Sequence, residues 1–349
     1  MKCLLSVCLI LLCMEAVRAQ ERLDTTSFCI MAYNVENLFD CRHDTLKDDY
    51  EFLPGGIRHW TYSRYKQKLD NVARVITAVG GWNPPALVAL CEVENDRVLR
   101  DLTRYSALRE HGYRYILTHS EDRRGIDVAV LYRRDLFKPL QWQSLRVERP
   151  HASDSPTRDI LHVSGLLWDL DTLDVLIAHF PSRAGRTARK DLYRQEAARL
   201  VRATADSLFR VRKRARIVIT GDFNEPPQGS LIRETLRAQM PPRSRGQVDE
   251  RALYHLLMRK AISSSQTGTY KYQGHWQWLD HILVSGSLLC PGVSLATSEE
   301  RAGVFSPAFL LEEDLKFGGV KPFRTYYGMR YQGGYSDHLP VFVWFTLIY

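Results

Sequence analysis

Ile217-Val218-Ile219-Thr220-Gly221-Asp222-Phe223-Asn224 is an apolar run that stops on a carboxylate and an amide. So short and continuous a run reads as a buried strand, and its terminal polar groups arrive where a sheet edge meets solvent. The construction recurs upstream, where Ala86 to Leu90 lead into Cys91-Glu92-Val93-Glu94. A third string, Ser336-Asp337-His338-Leu339-Pro340, stands just ahead of the last apolar run of the chain. Carboxylates beside amides and imidazoles at three strand ends point to a divalent-metal phosphoesterase centre.

Working outward, Phe28 to Tyr33 reads as a strand ending at Asn34. Tyr65, Leu69, Val72, Val75, Ile76 and Val79 recur at helical spacing, and Gly80-Gly81 stops that helix. After the strand ending at Glu92, a helix is predicted over about Asp96 to Glu110, then strands over Tyr113 to Thr118 and Ile126 to Tyr132. A second half echoes the first: strands Leu161 to Trp168 and Leu173 to His179, a helix over about Arg189 to Arg212, and the strand ending at Asp222. Strands follow at Leu279 to Val284 and Val341 to Leu347. Roughly 45 residues rich in Gly, Pro and aromatics, Pro291 to Gly334, precede the last strand, a length that predicts a functional loop. No linker, short-period repeat or low-complexity segment appears. The economical reading is one domain over residues 20–349, two sheets flanked by helices, with two fused domains as the alternative.

The 349 residues are 45% hydrophobic and 25% charged, ordinary globular usage that excludes a disordered chain. Residues 1–19 stand apart, with Lys2, an apolar stretch from Leu4 to Leu12, and Ala16-Val17-Arg18-Ala19 suited to cleavage before Gln20. They read as a secretory signal peptide, which places the product outside the cell or in the periplasm. A lipoprotein anchor at Cys8 or Cys13 is disfavoured, because neither follows the small residue such processing wants. The stretch is short of the about 20 residues of a membrane span, so no stable membrane insertion is expected. Beyond the leader remain Cys29, Cys41, Cys91 and Cys290, with no pair at metal-ligand spacing; Cys29 and Cys91 lie in strand-like runs and read as buried thiols. A net charge of +8 and a pI near 9.1 suit a polyanionic partner. However, Arg210, Arg212, Lys213, Arg214 and Arg216 cluster at a helix end, where cations complement the helix dipole.

Hydrolysing a phosphate ester requires lowering the barrier by on the order of 20 kcal/mol, whereas one imidazole acid or base supplies about 3 to 5 kcal/mol. A metal is therefore expected. Hard oxygens from Glu92, Asp337 and Asn34 suit Mg2+, with Mn2+ as a substitute, better than zinc.

Six strings in order carry a resemblance: Tyr33-Asn34-Val35-Glu36-Asn37, the strand end at Glu92, Ala178-His179-Phe180-Pro181-Ser182-Arg183, Gly221-Asp222-Phe223-Asn224, Trp278-Leu279-Asp280-His281 and Ser336-Asp337-His338-Leu339-Pro340. The set resembles the endonuclease/exonuclease/phosphatase superfamily from about residue 28 to 347. That superfamily includes pancreatic deoxyribonuclease, exonuclease III-like enzymes, bacterial sphingomyelinases and inositol-polyphosphate phosphatases. The resemblance implies a four-layer α/β sandwich, two packed mixed β-sheets flanked by helices, with the metal site at one edge. It implies that Glu92 is the principal metal ligand, with Asn34, Asp337 and Glu36 in or near the shell. By the same resemblance Asp222 orients or deprotonates the attacking water and Asn224 holds the phosphate. His179 and His338 stabilise the transition state, and Asp280 fixes the ring of His338. A neutral imidazole needs a partner on its far nitrogen to settle its tautomer, which agrees with that last role. Asp127, in Arg124-Gly125-Ile126-Asp127-Val128, is the candidate to orient His179 on the substrate side, and Arg183 is placed to grip a phosphate oxygen with its planar fork.

Taken singly, each of these residues has a plainer reading as a cap, turn or solvated strand end; taken together and in order, they read as catalytic. His59, His119, His162, His255, His275 and His281 lack such company and read as surface or hydrogen-bonded structural groups. Tyr270, Tyr272, Trp276 and Trp278 are either half-buried strand aromatics or a platform for a base. The favoured substrate is nucleic acid, as a phosphodiesterase of nuclease type. A sphingomyelinase-like lipid phosphodiesterase is the nearest alternative, disfavoured because no exposed hydrophobic hairpin is evident. A phosphomonoesterase is also considered, although inositol-phosphate phosphatases carry Cys-Asp-Arg where this chain has Leu279-Asp280-His281. A non-catalytic binding protein on the same scaffold is the alternative from another class, and no protein partner is predicted.

Overall fold

Strand β1 (Thr25–Leu38) is the spine of the first half. The computed structural model describes residues 25–348 apart from 152, 169–170, 184–187, 245–246 and 291–292. The leader at residues 1–19 lies outside the described residues. Helix α1 (Tyr62–Gly80) buries the predicted stripe from Tyr65 to Val79, and Gly81 ends it with φ 57°. Strand β2 (Leu87–Val93) pairs parallel to β1, as a strand-helix-strand unit requires. Helix α2 (Asp96–Tyr105) starts on an Asn95 cap whose side chain accepts from the Val98 N–H. It is shorter than predicted and gives way to a 3-10 turn over Ala107–His111. Strands β3 (Tyr113–Leu117) and β4 (Asp127–Arg133) complete this half.

The second half repeats the plan. Strands β5 (Phe137–Leu145), β6 (Ile160–Leu167) and β7 (Asp171–His179) form a meander. Helix α3 (Ala188–Val211) then crosses to β8 (Ile217–Asp222), which runs parallel to β7. Short strands β9 (Ala238–Gln239) and β10 (Leu253–His255) and helix α4 (Met258–Ser263) follow. Next come the hairpin β11 (Tyr270–Tyr272) to β12 (His275–Gln277), and β13 (Asp280–Ser285). The stretch expected to be a long loop is built of short pairings instead. These are β14 (Leu295–Ala296), β15 (Ala302–Val304), the hairpin β16 (Leu311–Glu313) to β17 (Val320–Pro322), and the hairpin β18 (Tyr326–Tyr327) to β19 (Arg330–Tyr331), ahead of β20 (Val341–Ile348).

One mixed sheet has the order β14-β20-β1-β2-β4-β3, with β15 also on β20, and the other β5-β6-β7-β8-β13-β10-β9. Their inner faces share one core, in which Phe28, Ile30, Ala89 and Val343 of the first sheet meet Val163, Val175, Val218 and Ile282 of the second. Helices α1 and α2 cover the outer face of the first sheet and α3 that of the second, giving the expected four layers. Each Val, Ile or Leu buried this way contributes about 1.5–3 kcal/mol, enough to fix which strand ends share an edge. Cys91 is a buried thiol in the core between the sheets and Cys29 one under the helices of the first sheet, and no disulfide joins the described cysteines. Three arginines of the basic cluster after α3 are tied to the fold: Arg212 bonds Asp174 and Ser164, Arg214 pairs with Glu250, and Arg216 reaches Ser294.

Candidate active site

Both parallel pairs end at one edge. Asn34 lies opposite Cys91 where β1 and β2 finish, His179 lies opposite Asp222 where β7 and β8 finish, and Asp222 lies opposite Asp280 where β13 begins. The loop ahead of β20 is drawn in when Ser336 Oγ donates to the Asn34 carbonyl at 2.7 Å and accepts from the His338 N–H at 3.1 Å. Strain concentrates here: Glu36 (φ 51°), Asn37 (φ 54°), Glu92 (φ 67°) and Asn224 (φ 49°) all adopt left-handed backbone. Each such residue costs on the order of 1–3 kcal/mol and persists only where its surroundings hold it. Glu92 sits in a register shift between Cys91 and Val93, which turns its carboxylate off the sheet.

Asp222 is the hub. Its Oδ2 accepts from Asn34 Nδ2 at 3.0 Å, its Oδ1 accepts from the Asn224 N–H at 2.9 Å, and both imidazoles approach Oδ2, His179 Nε2 at 3.6 Å and His338 Nε2 at 3.7 Å. Burial pushes its carboxyl up from the usual range, against the His338 charge. Asn224 donates its amide to the Phe180 carbonyl at 3.0 Å, which fixes it at the cleft floor.

The two imidazoles are held oppositely. Burial opposes a charge on His338, but Asp280 and Asp222 outweigh it and raise its pKa well above the usual value. Asp280 Oδ2 lies 2.7 Å from Nδ1, so the expected orienting carboxylate is in place. For His179, burial and then the Arg158 guanidinium push the pKa well below the ordinary value. The residue on His179 is Arg158, whose Nη2 lies 3.0 Å from Nε2. A guanidinium only donates, and it lies 3.5 Å from Nδ1 as well, so it faces the ring as a donor and favours the neutral imidazole.

Two of the candidate residues are engaged elsewhere. Asp127 does not reach His179: its Oδ1 accepts from Thr118 Oγ1 at 2.7 Å and the Ser120 N–H at 3.0 Å, tying β4 to the preceding turn. Glu36 does not line the cleft, and both its oxygens are engaged, Oε1 by Arg324 Nη2 at 3.2 Å and Oε2 by the Thr325 N–H at 2.7 Å. Asp280 lies behind His338, whereas Asn34, Glu92, His179, Arg183, Asp222, Asn224, Asp337 and His338 line one cleft of about 840 Å³. Glu92 and Asp337 thus open on the same cleft.

Arg124 and Arg158 join Arg183 in that cleft, and Tyr270, Tyr272, Trp276 and Trp278 add an aromatic wall to it. Tyr270 bridges to His338 through the backbone, its ring centroid 5.0 Å from the imidazole. Beside this wall the β16 to β17 hairpin exposes Leu315 and Phe317 at its tip, the kind of feature the sequence reading had not found. Lys271 of β11 fastens it through Asp314 at 2.9 Å. His255 and His281 prove to be buried and bonded to each other at 2.6 Å, and His162 bonds Asp174, all structural as expected.

The donors at the cleft fit a hard divalent cation. Glu92 gives only Oε2 to a backbone N–H, that of Asn37 at 2.9 Å, while Oε1 stands 3.9 Å from His179 Nε2, and Asp337 has one oxygen on Arg324. Among the described residues, Asp222, Asp280 and His338 also bring ligand atoms within 4.8 Å of one another, although Asp280 and His338 are already bonded together.

Two packed mixed sheets with carboxylates and imidazoles at a common edge define a phosphoesterase of the α/β-sandwich class. The profile of the Endonuclease/Exonuclease/phosphatase family matches residues 29–346, and the chain belongs to that family. It is accordingly a metal-dependent phosphoester hydrolase. Among solved structures it is similar to a family protein from Bacteroides thetaiotaomicron, 18% identical at a TM-score of 0.55, over 93% of this chain and 99% of that one. It is also similar to D. rerio TDP2 complexed with single strand DNA product, 14% identical at 0.54, over 92% and 99%. A mannosyl-6-phosphatase from Bacteroides thetaiotaomicron is 16% identical at 0.53, over 90% and 98%. No curated protein matches the sequence.

Proposed function

We propose that this protein is an exported, magnesium-dependent phosphodiesterase that hydrolyses nucleic acid, its residues 20–349 working as one catalytic domain. The observation that carries this reading is the make-up of the cleft: Arg124, Arg158 and Arg183 line it together with Tyr270, Tyr272 and Trp276, around the carboxylates and imidazoles. Guanidinium groups grip phosphate oxygens, and aromatic rings accept bases without regard to sequence. The similar D. rerio protein complexed with single strand DNA product supports a nucleic-acid substrate without deciding it.

In this reading Glu92, Asp337 and Asn34 would hold the cation, and the chemistry it would supply there is Lewis-acid stabilisation of charge on the phosphoryl group. Asp222, raised by burial towards neutrality, takes the proton of the attacking water. His338, charged and held by Asp280, gives a proton to the departing oxygen. His179 and Arg158 stabilise the pentavalent phosphorus, with Asn224 beside them.

The test is incubation of the mature protein with plasmid, single-stranded DNA, RNA, sphingomyelin and a generic phosphodiester, in Mg2+ or chelator. Mg2+-dependent cleavage of DNA or RNA is expected. Release of inorganic phosphate alone makes it a phosphomonoesterase, and no turnover at all favours a binding protein. The exposed Leu315 and Phe317, with Lys316 between them, favour a second reading as a lipid phosphodiesterase; cleavage of sphingomyelin alone would establish it. Export is tested by finding a mature N-terminus at Gln20 outside the cytoplasm.

A further inference from the structure

Arg324 reaches the centre from the segment between β17 and β18. Its Nη2 lies 2.8 Å from Asp337 Oδ2 and 3.2 Å from Glu36 Oε1, and its Nε adds a second contact to Glu36 Oε1 at 3.3 Å. One guanidinium therefore sits between two carboxylates that the sequence places in the metal shell. The segment carrying it is clamped. The next residue, Thr325, donates its N–H to Glu36 Oε2 at 2.7 Å, and buried Lys68 of α1 reaches both Thr325 Oγ1 and the Tyr335 carbonyl at 2.5 Å. Lys68 thus fastens the residues on either side of the arginine fork to one helix.

We propose that Arg324 is a positioning residue that stands in the place of a cation between Glu36 and Asp337. It removes Glu36 from the ligand set and leaves the divalent ion to Glu92, Asn34 and the remaining oxygen of Asp337. Arginine suits this task because its planar fork stays charged at every physiological pH and engages two carboxylates at once. With both oxygens of Glu36 engaged, a metal can recruit that carboxylate only by breaking contacts that the Lys68 clamp holds in register. The inference rests on the metal dependence of the centre and not on which phosphoester it cuts, and its test contains no substrate.

The experiment counts Mn2+ bound to the mature protein by the loss of the free-ion EPR signal during titration. Glu36→Gln is expected to keep the wild-type count, with affinity within about threefold. Arg324→Gln frees two carboxylates and is expected to take one more Mn2+ per chain than wild type, whereas Arg324→Lys, which keeps the charge, matches wild type. The double variant Glu36→Gln/Arg324→Gln is expected to return to the wild-type count. A folded Arg324→Gln protein, checked by circular dichroism, with unchanged count and affinity would overturn the proposal. So would a Glu36→Gln protein that loses Mn2+ affinity tenfold or more, and this arm decides the matter even where the Arg324 variants do not fold.

Discussion

His338 and Asp280 are 58 residues apart in sequence and 2.7 Å apart in space, Nδ1 to Oδ2. Asp280 opens β13 opposite Asp222, and His338 stands just ahead of β20, so strands from both sheets bring the pair together. Asp280→Asn keeps the shape of the pair but removes the charge that helps hold His338 protonated, and second-group changes of this sort cost about 10–100-fold. We expect kcat to fall by about that factor with KM little altered. Asp222→Ala, which removes the group placed to accept a proton, is expected to cost at least about a hundredfold. Unchanged turnover in either variant would take that residue out of the mechanism.

Arg158 sets the state of the other imidazole. Replacing it by Gln removes the cation 3.0 Å from His179 Nε2, which, after burial, is the main influence keeping that ring neutral. The ring should then titrate at higher pH, which 15N-edited NMR of the metal-free protein reads directly. Turnover should fall at least about tenfold in this variant and about a hundredfold in His179→Ala. An unmoved titration in the Gln variant would mean that burial alone holds the ring neutral.

Strand ends were the legible part of this chain. Asn34, Glu92, Asp222 and Asp337 were readable because apolar runs stop on or begin just past them, and such runs mark the edge of a sheet. Arg158 and Arg324 were not readable, although Arg183 was. The chain has 48 Lys and Arg residues, and nothing local distinguishes Arg158 or Arg324 from a solvated cation until other elements converge on them. The partners of Glu36 were not readable either, because closeness to Asn34 in sequence says nothing of a backbone that turns left-handed at both Glu36 and Asn37 and of the Arg324 and Thr325 groups that engage its carboxylate. Asp127 likewise has its place at a strand start, but the Thr118 hydroxyl captures it. Strand β5 escaped notice because it is an edge strand with exposed Leu140 and Trp142. The segment 291–334 escaped because strands of two or three residues carry no periodicity.

Acid should weaken the fold through the buried pair His255 and His281. The Leu257 N–H donates to His255 Nδ1 at 3.1 Å, so His255 donates through Nε2 to His281 Nδ1, and His281 Nε2 donates to the Glu225 carbonyl at 2.7 Å. Neither ring has room for another proton. Burial pushes His281 down to about 4, although the Glu225 carbonyl and Asp280 favour its charge. Unfolded, the same ring titrates near about 6.5. As pH falls below that value the unfolded chain binds a proton that the folded one refuses, so stability drops through the window down to about 4. His338 and Asp222 are shifted upward and contribute with the opposite sign, so the comparison must be with a variant. The stability of wild type relative to His281→Gln should decline by about 2 kcal/mol between pH 7 and 4.5 in urea unfolding. A difference that stays constant over that range would show that the ring is protonated at no cost in the folded state.

If the substrate is nucleic acid as proposed, the aromatic residues of the cleft are the groups that accept its bases. Tyr272 is half-exposed at the end of β11 and Trp276 stands opposite Lys271 on β12, both facing the cleft that holds His338 and Asp222. Stacking of a base on such a ring is worth about 1–3 kcal/mol, or about 5- to 150-fold in binding. The double variant Tyr272→Ala/Trp276→Ala should therefore raise KM for a short single-stranded oligonucleotide by a factor in that range. An abasic oligonucleotide of equal length offers the same phosphates and no base, so its KM should move little. If both substrates weaken equally, the hairpin supports the shape of the cleft and contacts no base. If neither weakens, the arginines of the cleft account for binding without it, and selection by base stacking is lost from the account.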